Sequence, residues 1–370
     1  MHRVTRARAA RLGLAALPGV AIGAVVVADL SVGDNIVLGL VVVAPLLAAN
    51  VGGPRLVAAY GLTAFVVAVL LGVKDDAYVA GDRLNAQLIR LGTIALMTGL
   101  AVFLARYRLA REQRLSQVIK VAEAAQRAIL LPVPQQLGRV RAAVHYESAA
   151  REALVGGDMY GFVLTDQGLR VLVGDVRGKG LEAVRLSAQV LATFRERASD
   201  ERELSGLLQR LDHTVATVAE TDEDFVTAVL VQIGPGGDLT VVNAGHPAPL
   251  LLTDEGARPL EVDPSRPPLG LGGTSGTLTA TVGPHDRVLL YTDGLTEARH
   301  PRTRAFLPAQ QIVAALRARE AVGEAVDALR DDVVRWSGGA LHDDIALVLL
   351  EYQGDVPEGA DVTGESALLR

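Results

Sequence analysis

The sequence predicts an α+β protein: two antiparallel β-sheets sandwiched by helices, preceded by an all-α transmembrane bundle. Apolar runs fill the first 106 residues, whereas short β-like segments and paired amphipathic helices follow from about Arg139. Hairpins interleaved with helix pairs are typical of antiparallel sheets flanked by helices. The predicted organisation is a four-helix transmembrane region (1–106), a helical connector (107–134), a soluble domain (135–352) and a disordered tail (353–370).

Four apolar runs predict the membrane region: 13–29, 36–49, 56–73 and 86–105. A helix needs about 17–25 residues to cross a bilayer, so the second run is short and the other three are adequate. A signal peptide is the alternative for the first run, and the three further runs disfavour it. Arginine-rich segments lie before the first run and after the fourth, whereas the first and third loops are acidic. This bias predicts a multi-pass protein of the cell membrane, in contact with the lipid bilayer, whose soluble domain is cytoplasmic.

The predicted connector has apolar residues at spacings of three and four: Leu115, Val118, Ala122, Ala125 and Ile129. Two heptads of this kind fit two interpretations. The helix could form a homodimer as a parallel coiled coil that transmits the state of the membrane, or it could pack on its own domain.

The soluble domain contains segments with alternating or continuous apolar residues between Gly-rich turns. The predicted strands are Met159–Thr165, Leu169–Asp175, Phe225–Ile233, Leu239–Ala244, Pro249–Thr253, Thr277–Val282, Arg287–Thr292 and Asp344–Tyr352. The predicted helices are Gly180–Ala198, Glu203–Glu220, Pro308–Arg319 and Gly323–Trp336. The first two strands form a hairpin that places Asp158 and Asp175 at the same end.

Composition excludes several classes of site and partner. The chain has no Cys, which excludes disulfides, zinc–thiolate sites and a thiolate nucleophile. A net charge of -6 gives no reason to expect nucleic acid as a partner.

Four aspartates lie where an apolar run meets a turn: Asp158 in VGGDMYG, Asp175 in VGDVRGKG, Asp293 in YTDG and Asp343 in LHDDIALVLL. A single Asp in a turn is usually a turn former or a helix cap. Four in consecutive strand–turn settings are better explained by carboxylates that converge on cations. Oxygen ligands without Cys suit hard ions such as Mg²⁺ or Mn²⁺.

Seven ordered motifs resemble a known family: LLPVP, VGGDMYG, GDVRGKGLEA, FVTAVLV, NAGHPAPLL, YTDGLTEA and HDDIALVLL. Over about residues 121–352 the chain is similar to the PPM (protein phosphatase 2C-like) metal-dependent serine/threonine phosphatases, in the bacterial SpoIIE/RsbU-like branch. The resemblance implies two Mn²⁺ or Mg²⁺ ions that activate a water for phosphomonoester hydrolysis. It implies that Asp175 bridges both ions, that Asp158 and the Val176 carbonyl bind one, and that Asp293 and Asp343 bind the other. The implied substrate is a phosphoserine or phosphothreonine protein, typically an anti-sigma-factor antagonist in signalling.

One position departs from this family. Many relatives carry a second acidic residue where this chain has Gly161, and its absence could weaken one metal ion. We therefore expect Gly161→Asp to lower the Mn²⁺ requirement. A catalytically weakened membrane regulator or scaffold is the alternative function.

Three other side chains near these motifs are candidates for further roles in the site. Lys179 is a solvated loop residue or a phosphate contact, and His246 fixes a turn or acts as a general acid. His342 could orient a metal ligand. GGDMY also resembles the GGDEF signature of diguanylate cyclases, but Met159 stands where that motif needs a second acidic residue.

Overall fold

The computed structural model describes residues 2–32, 37–79, 81–148, 156–178, 180–221, 223–339, 341 and 343–354. The predicted disordered tail therefore lies almost entirely outside the described residues. The chain divides into two compact units, Met1–Val118 and Ile119–Arg370, each with its own core.

The N-terminal unit is helical. Its elements are α1 (His2–Val32), a 3₁₀ turn (Val37–Val42), α2 (Val43–Val51), α3 (Pro54–Lys74) and the first part of α4 (Asp82–Ile129). Within the described residues, two helices are long and apolar enough to cross a membrane, Pro54–Lys74 and Asp82–Val118. The first and second predicted runs form shorter apolar helices, Ala16–Ser31 and Leu40–Val51. Pro45 explains the broken second run, because it has no N–H to donate to the carbonyl of Val41.

Small residues let the helices of this unit approach each other closely. A Cβ atom at Gly61 would overlap the Thr98 side chain, and one at Gly72 would overlap Gln87. Large apolar side chains such as Leu70 and Phe103 instead remain exposed. Small residues at helix contacts and large apolar residues on the outside are typical of helices packed in lipid.

The predicted connector is part of α4, which runs without interruption from Asp82 to Ile129. Leu115 and Val118 are exposed. Ala125 and Ile129, however, pack against the buried Val184. Of the two interpretations of the connector, packing on its own domain holds for Ala125 and Ile129. The side chain of Ala122 lies outside the described part of the chain.

The second unit contains two antiparallel sheets. The strands are β1 (Gln136–Leu137), β2 (Val140–Glu147), β3 (Asp158–Thr165), β4 (Gly168–Val176), β5 (Val226–Ile233), β6 (Asp238–Ala244), β7 (Leu250–Thr253), β8 (Gly256–Pro259), β9 (Leu278–Thr281), β10 (Arg287–Tyr291) and β11 (Ile345–Tyr352). One sheet has the order β1-β2-β11-β10-β7-β8 and the other β3-β4-β5-β6-β9.

Helices cover the outer faces of both sheets. They are α5 (Leu181–Arg197), α6 (Leu204–Val218), the short α7 (Asp293–Thr296), α8 (Ala309–Arg317) and α9 (Val322–Trp336). One core lies between α5, α6 and the five-stranded sheet, a second lies between the sheets, and a third lies under α8 and α9. Because central strands are covered on both faces, they are continuously apolar, and all eight residues of β11 are buried. The predicted fold class is confirmed for this unit.

The sequence analysis missed β1, β2 and β8. The important omission is β2, which pairs with β11 along its full length. Its sequence VRAAVHYE neither alternates strictly nor forms a continuous apolar run, so the pattern that identified the other strands is absent.

Candidate active site

The first two predicted site residues lie opposite each other on neighbouring strands. Asp158 begins β3, and its register partner on β4 is Asp175. Asp158 is buried and Asp175 is partly buried. The hairpin thus places both carboxylates at one end of the five-stranded sheet, as the sequence predicts.

The double glycine before Asp158 leaves room for these acidic groups. A Cβ atom at Gly157 would lie 2.6 Å from Oδ1 of Asp175 and would overlap the carbonyl oxygen of Val176. A Cβ atom at Gly156 would overlap the carboxylate of Asp344. The backbone therefore passes directly against three acidic or carbonyl groups, which only glycine allows here.

The six-stranded sheet contributes the other half of the site. Asp293 begins α7 directly after β10, and Asp343 lies just before β11. Thr292 joins the halves because its hydroxyl donates a 2.7 Å hydrogen bond to Oδ2 of Asp158. The same Thr292 oxygen accepts the N–H of Ala346 at 2.9 Å.

Asp344 also belongs to this cluster, although the sequence analysis left it outside the ligand set. Its carboxylate accepts a 2.6 Å hydrogen bond from the hydroxyl of Ser148, and it is buried. Its backbone N–H donates to Oδ1 of Asp343 at 3.0 Å. The available signal was the adjacent Asp pair in LHDDIALVLL.

The electrostatics of the cluster indicate mutual repulsion. Burial, followed by the charges of Asp293 and Asp343, raises the pKa of Asp175 to about 7. Burial, followed by the charge of Asp175, raises the pKa of Asp158 well above its ordinary value. All four predicted aspartates therefore lie within electrostatic reach, and a cation between them would relieve the repulsion.

The donor chemistry fits a hard divalent cation. The candidate donors are carboxylate oxygens and the carbonyl of Val176, which suit Mg²⁺ or Mn²⁺. Asp175 Oδ1 and that carbonyl oxygen both lie against Gly157, so the two donors are close to each other. Among the described residues, no group of three or more His, Cys, Asp or Glu is arranged at ligand spacing.

His246 fixes a turn, which is one of the two roles that the sequence analysis gives it. Its backbone N–H donates to Oδ1 of Asn243, and Nδ2 of Asn243 donates to the His246 carbonyl, each at 2.8 Å. Burial lowers the pKa of the His246 ring to about 3. Lys179 and His342 lie outside the described residues.

The structure corrects the expectation for Gly161. A Cβ atom at this position would lie 3.0 Å from Phe194 and 3.1 Å from Leu191, both on α5. A side chain at 161 thus points into the apolar layer between sheet and helices. An aspartate there has no route to the acidic cluster, because alternate strand residues face opposite sides of the sheet.

Sequence reasoning also missed Gln126, near the end of α4. Its amide nitrogen donates to the carbonyl of Gly156 at 2.9 Å, to that of Asp158 at 3.4 Å, and to the Tyr146 hydroxyl at 2.7 Å. The available signal was a polar Gln among the small and apolar residues of VAEAAQRAILL, and the structure shows that this Gln is buried. The last turn of α4 is thereby hydrogen-bonded to the glycine loop of the site.

Comparison with known proteins gives one family. The model described as Stage II sporulation protein E (SpoIIE) matches residues 165–353. The chain is 26% identical to Protein IcfG of Synechocystis sp., over 52% of this chain and 35% of that relative. It thus spans about a third of the length of this curated relative.

Two solved structures are similar to this chain. The RsbU and RsbW domains of Rv1364c from Mycobacterium tuberculosis align at 25% identity, covering 60% of this chain and 63% of that one, with a TM-score of 0.51. The SiaA-PP2C domain of Pseudomonas aeruginosa aligns at 19% identity, covering 66% of this chain and 99% of that one, with a TM-score of 0.57. The second likeness concerns the fold alone.

Proposed function

Since the chain belongs to the SpoIIE family of PP2C-type serine/threonine phosphatase domains, we propose that it hydrolyses phosphoserine or phosphothreonine in a protein substrate. The observation that carries this proposal is the convergence of aspartates from both sheets beside Gly157. Burial and the neighbouring negative charges disfavour the ionised carboxylates, and a bound divalent cation would stabilise them.

Each acidic residue has a distinct place in the proposed site. Asp158, Asp175 and the Val176 carbonyl would hold one divalent ion, and Asp293 and Asp343, with Asp175 shared, would hold a second. Such a pair of ions, when bound, lowers the pKa of a water and neutralises phosphoryl oxygens.

Neighbouring hydroxyl groups orient the carboxylates of this site. The Thr292 hydroxyl donates to Oδ2 of Asp158. The Ser148 hydroxyl donates to Oδ1 of Asp344. Both carboxylates therefore keep a fixed orientation.

The proposed activity is tested on the full-length chain in detergent, with p-nitrophenyl phosphate as substrate. We expect hydrolysis with Mn²⁺ or Mg²⁺ and its loss in Asp175→Ala, because that carboxylate would bind both proposed ions. Arg335→Gln, on the exposed face of α9, is the control and should behave as wild type. An Asp175→Ala variant as active as wild type at saturating Mn²⁺ would exclude the assignment, and absence of hydrolysis by the wild type would favour the weakened regulator.

The diguanylate cyclase alternative has no support in the geometry. Met159, which follows the GGD sequence, is fully buried in the core beneath α5 and α6. The position that would need a second exposed carboxylate is therefore occupied by an apolar core residue.

We propose an anti-sigma-factor antagonist phosphoprotein as the substrate. The support is the SpoIIE family match together with the likeness to a structure that joins RsbU and RsbW domains. This proposal is tested by measuring kcat/KM for the dephosphorylation of candidate phosphoproteins and of a phosphoserine peptide of scrambled sequence. Equal kcat/KM for both would argue against a dedicated protein substrate.

We propose that the N-terminal unit anchors the chain in the membrane as a multi-pass bundle with a cytoplasmic phosphatase unit. Two helices of sufficient length and exposed apolar side chains support this. Because the chain has no Cys, single cysteines can be introduced without background. A membrane-impermeant maleimide should label Val79→Cys in intact cells and Leu164→Cys only after lysis. The reverse pattern would exclude this orientation.

A homodimer through α4 remains a proposal, restricted to its exposed stretch. Leu115, Val118 and Val121 are exposed large apolar residues, whereas Ala125 packs on α5. Val118→Cys should therefore crosslink between chains in oxidised membranes, and Ala125→Cys should not. Absence of crosslinking at position 118 would contradict the dimer and indicate that the helix only connects the two parts of the chain.

A further inference from the structure

The His246 ring connects the two sheets directly behind the acidic residues. Its Nδ1 lies 2.9 Å from the hydroxyl oxygen of Thr227 on β5, and its Nε2 lies 3.1 Å from the carbonyl oxygen of Tyr291 on β10. The residue is buried, with 7% of its surface exposed. The ring is therefore a bridge between the five-stranded and six-stranded sheets.

The partners of the ring determine its tautomer. A carbonyl oxygen can only accept, so Nε2 must carry the proton that it donates to Tyr291. In the neutral ring Nδ1 then accepts, and the Thr227 hydroxyl donates to it. Burial keeps the ring neutral by lowering its pKa. Both nitrogens are thus occupied, which leaves no proton for a leaving group and disfavours the general-acid role.

Each end of this bridge adjoins a candidate metal ligand. Thr227 is the register partner of Asp175 on the neighbouring strand, and its hydroxyl also lies 3.4 Å from the Asp175 carbonyl. Tyr291 ends β10, two residues before Asp293. Together with the Thr292–Asp158 bond, the bridge ties the end of β10 to β3, which carries Asp158, and to β5, the strand that pairs with Asp175.

We propose that His246 is a positioning residue that fixes the separation of Asp175 and Asp293, and so sets the affinity of the site for divalent ions. This inference rests on the proposed function. The reciprocal Asn243–His246 bonds hold the ring's own backbone, so the ring is fixed at its base as well as at its tip. Mutation of a group that orients a metal ligand typically weakens metal binding by about 10–100-fold.

The test is Mn²⁺ binding by isothermal titration calorimetry, with the full-length chain in detergent and no substrate present. Thr227→Val removes the hydroxyl that donates to Nδ1 while it preserves shape. We expect it to weaken Mn²⁺ binding about tenfold, and Thr227→Ser, which keeps the hydroxyl, to bind as wild type. His246→Ala should weaken binding at least as much, and adding Thr227→Val to it should change little, because the bridge is already broken.

Thr193→Val is the matched control. It removes the same group from a 3.1 Å hydroxyl–hydroxyl bond with Thr214, between α5 and α6. It should alter the unfolding temperature at most, with unchanged Mn²⁺ affinity. If wild type binds Mn²⁺ and Thr227→Val binds it equally, the positioning role is overturned and the bridge serves stability alone. If wild type does not bind Mn²⁺, the proposed function fails as well.

Discussion

The two halves of the acidic site are held in place by different means. In the five-stranded sheet, Asp158 and Asp175 are register partners within a continuous strand ladder. In the six-stranded sheet, Asp293 and Asp343 lie just beyond strand ends, in a short helix and a loop. The ladder fixes the first pair through backbone hydrogen bonds. The second pair lies outside the strand ladders, and Thr292, the residue before Asp293, is held by side-chain bonds to Asp158 and to the N–H of Ala346.

This difference has a consequence for how substitutions act. Changes near the first half should matter when they displace backbone, because the strand register leaves little freedom. Changes near the second half should matter when they remove a side-chain hydrogen bond. Three substitutions separate these cases.

The largest effect is expected for Gly157→Ala. The added methyl group would lie 2.6 Å from Asp175 Oδ1 and overlap the Val176 carbonyl, so the glycine loop must move. We expect a loss of phosphatase activity on the order of 100-fold, comparable to the loss of an important orienting group. The assay is p-nitrophenyl phosphate hydrolysis across a range of Mn²⁺ concentrations.

Gly323→Ala is the control for this variant, since a Cβ atom there meets nothing within 4 Å. This substitution, which lies in helix α9, should leave phosphatase activity unchanged and raise the free energy of unfolding by about 0.5–1 kcal/mol. Normal activity in Gly157→Ala would show that the loop is not confined against the acidic residues.

A smaller effect is expected for Thr292→Val, which removes the bond to Asp158 without adding bulk. Asp158 then loses the contact that joins it to the opposite sheet, and we expect Mn²⁺ affinity to fall roughly tenfold. Measurement is by calorimetric Mn²⁺ titration. Thr217→Val, which removes only a hydroxyl bond within α6, should leave the affinity unchanged. Equal affinities for the Thr292 variant and wild type would mean that Asp158 is held by the ladder alone.

The smallest effect on metal binding is expected for Gly161→Asp. Its carboxyl group would face Phe194 and Leu191, so it should destabilise the fold by about 2 kcal/mol or more. Thermal unfolding and Mn²⁺ titration on the same sample would check this. A lower Mn²⁺ requirement in this variant would restore the original expectation that an acidic residue at 161 assists the metal site.

The parts of the fold that were predictable are those with a strong local pattern. The β3–β4 hairpin follows from two apolar runs around a Gly turn, and its register places Asp158 opposite Asp175. β2 was missed because its pattern is irregular and its position depends on β11, about 200 residues later in the sequence. Pairing at such separation is decided by tertiary contacts rather than by local preference.

The same distinction applies to the site. The four aspartates were identifiable from their strand–turn settings, but the partners of their supporting groups were not. Gln126, Ser148 and His246 act through partners 30 or more residues away or on another strand. The direction of a side chain at Gly161 was also not visible in the motif, because it depends on which face of β3 lies against α5.

The central claim is that residues from both sheets form one metal site. Calorimetric Mn²⁺ titration of Asp158→Asn and Asp293→Asn, one from each sheet, tests it most directly, because each substitution removes a charge with little change in shape. We expect two ions to bind the wild-type chain and both variants to bind Mn²⁺ much more weakly. If Asp293→Asn binds Mn²⁺ with wild-type affinity and stoichiometry while Asp158→Asn does not, the site is confined to the five-stranded sheet and the claim is wrong.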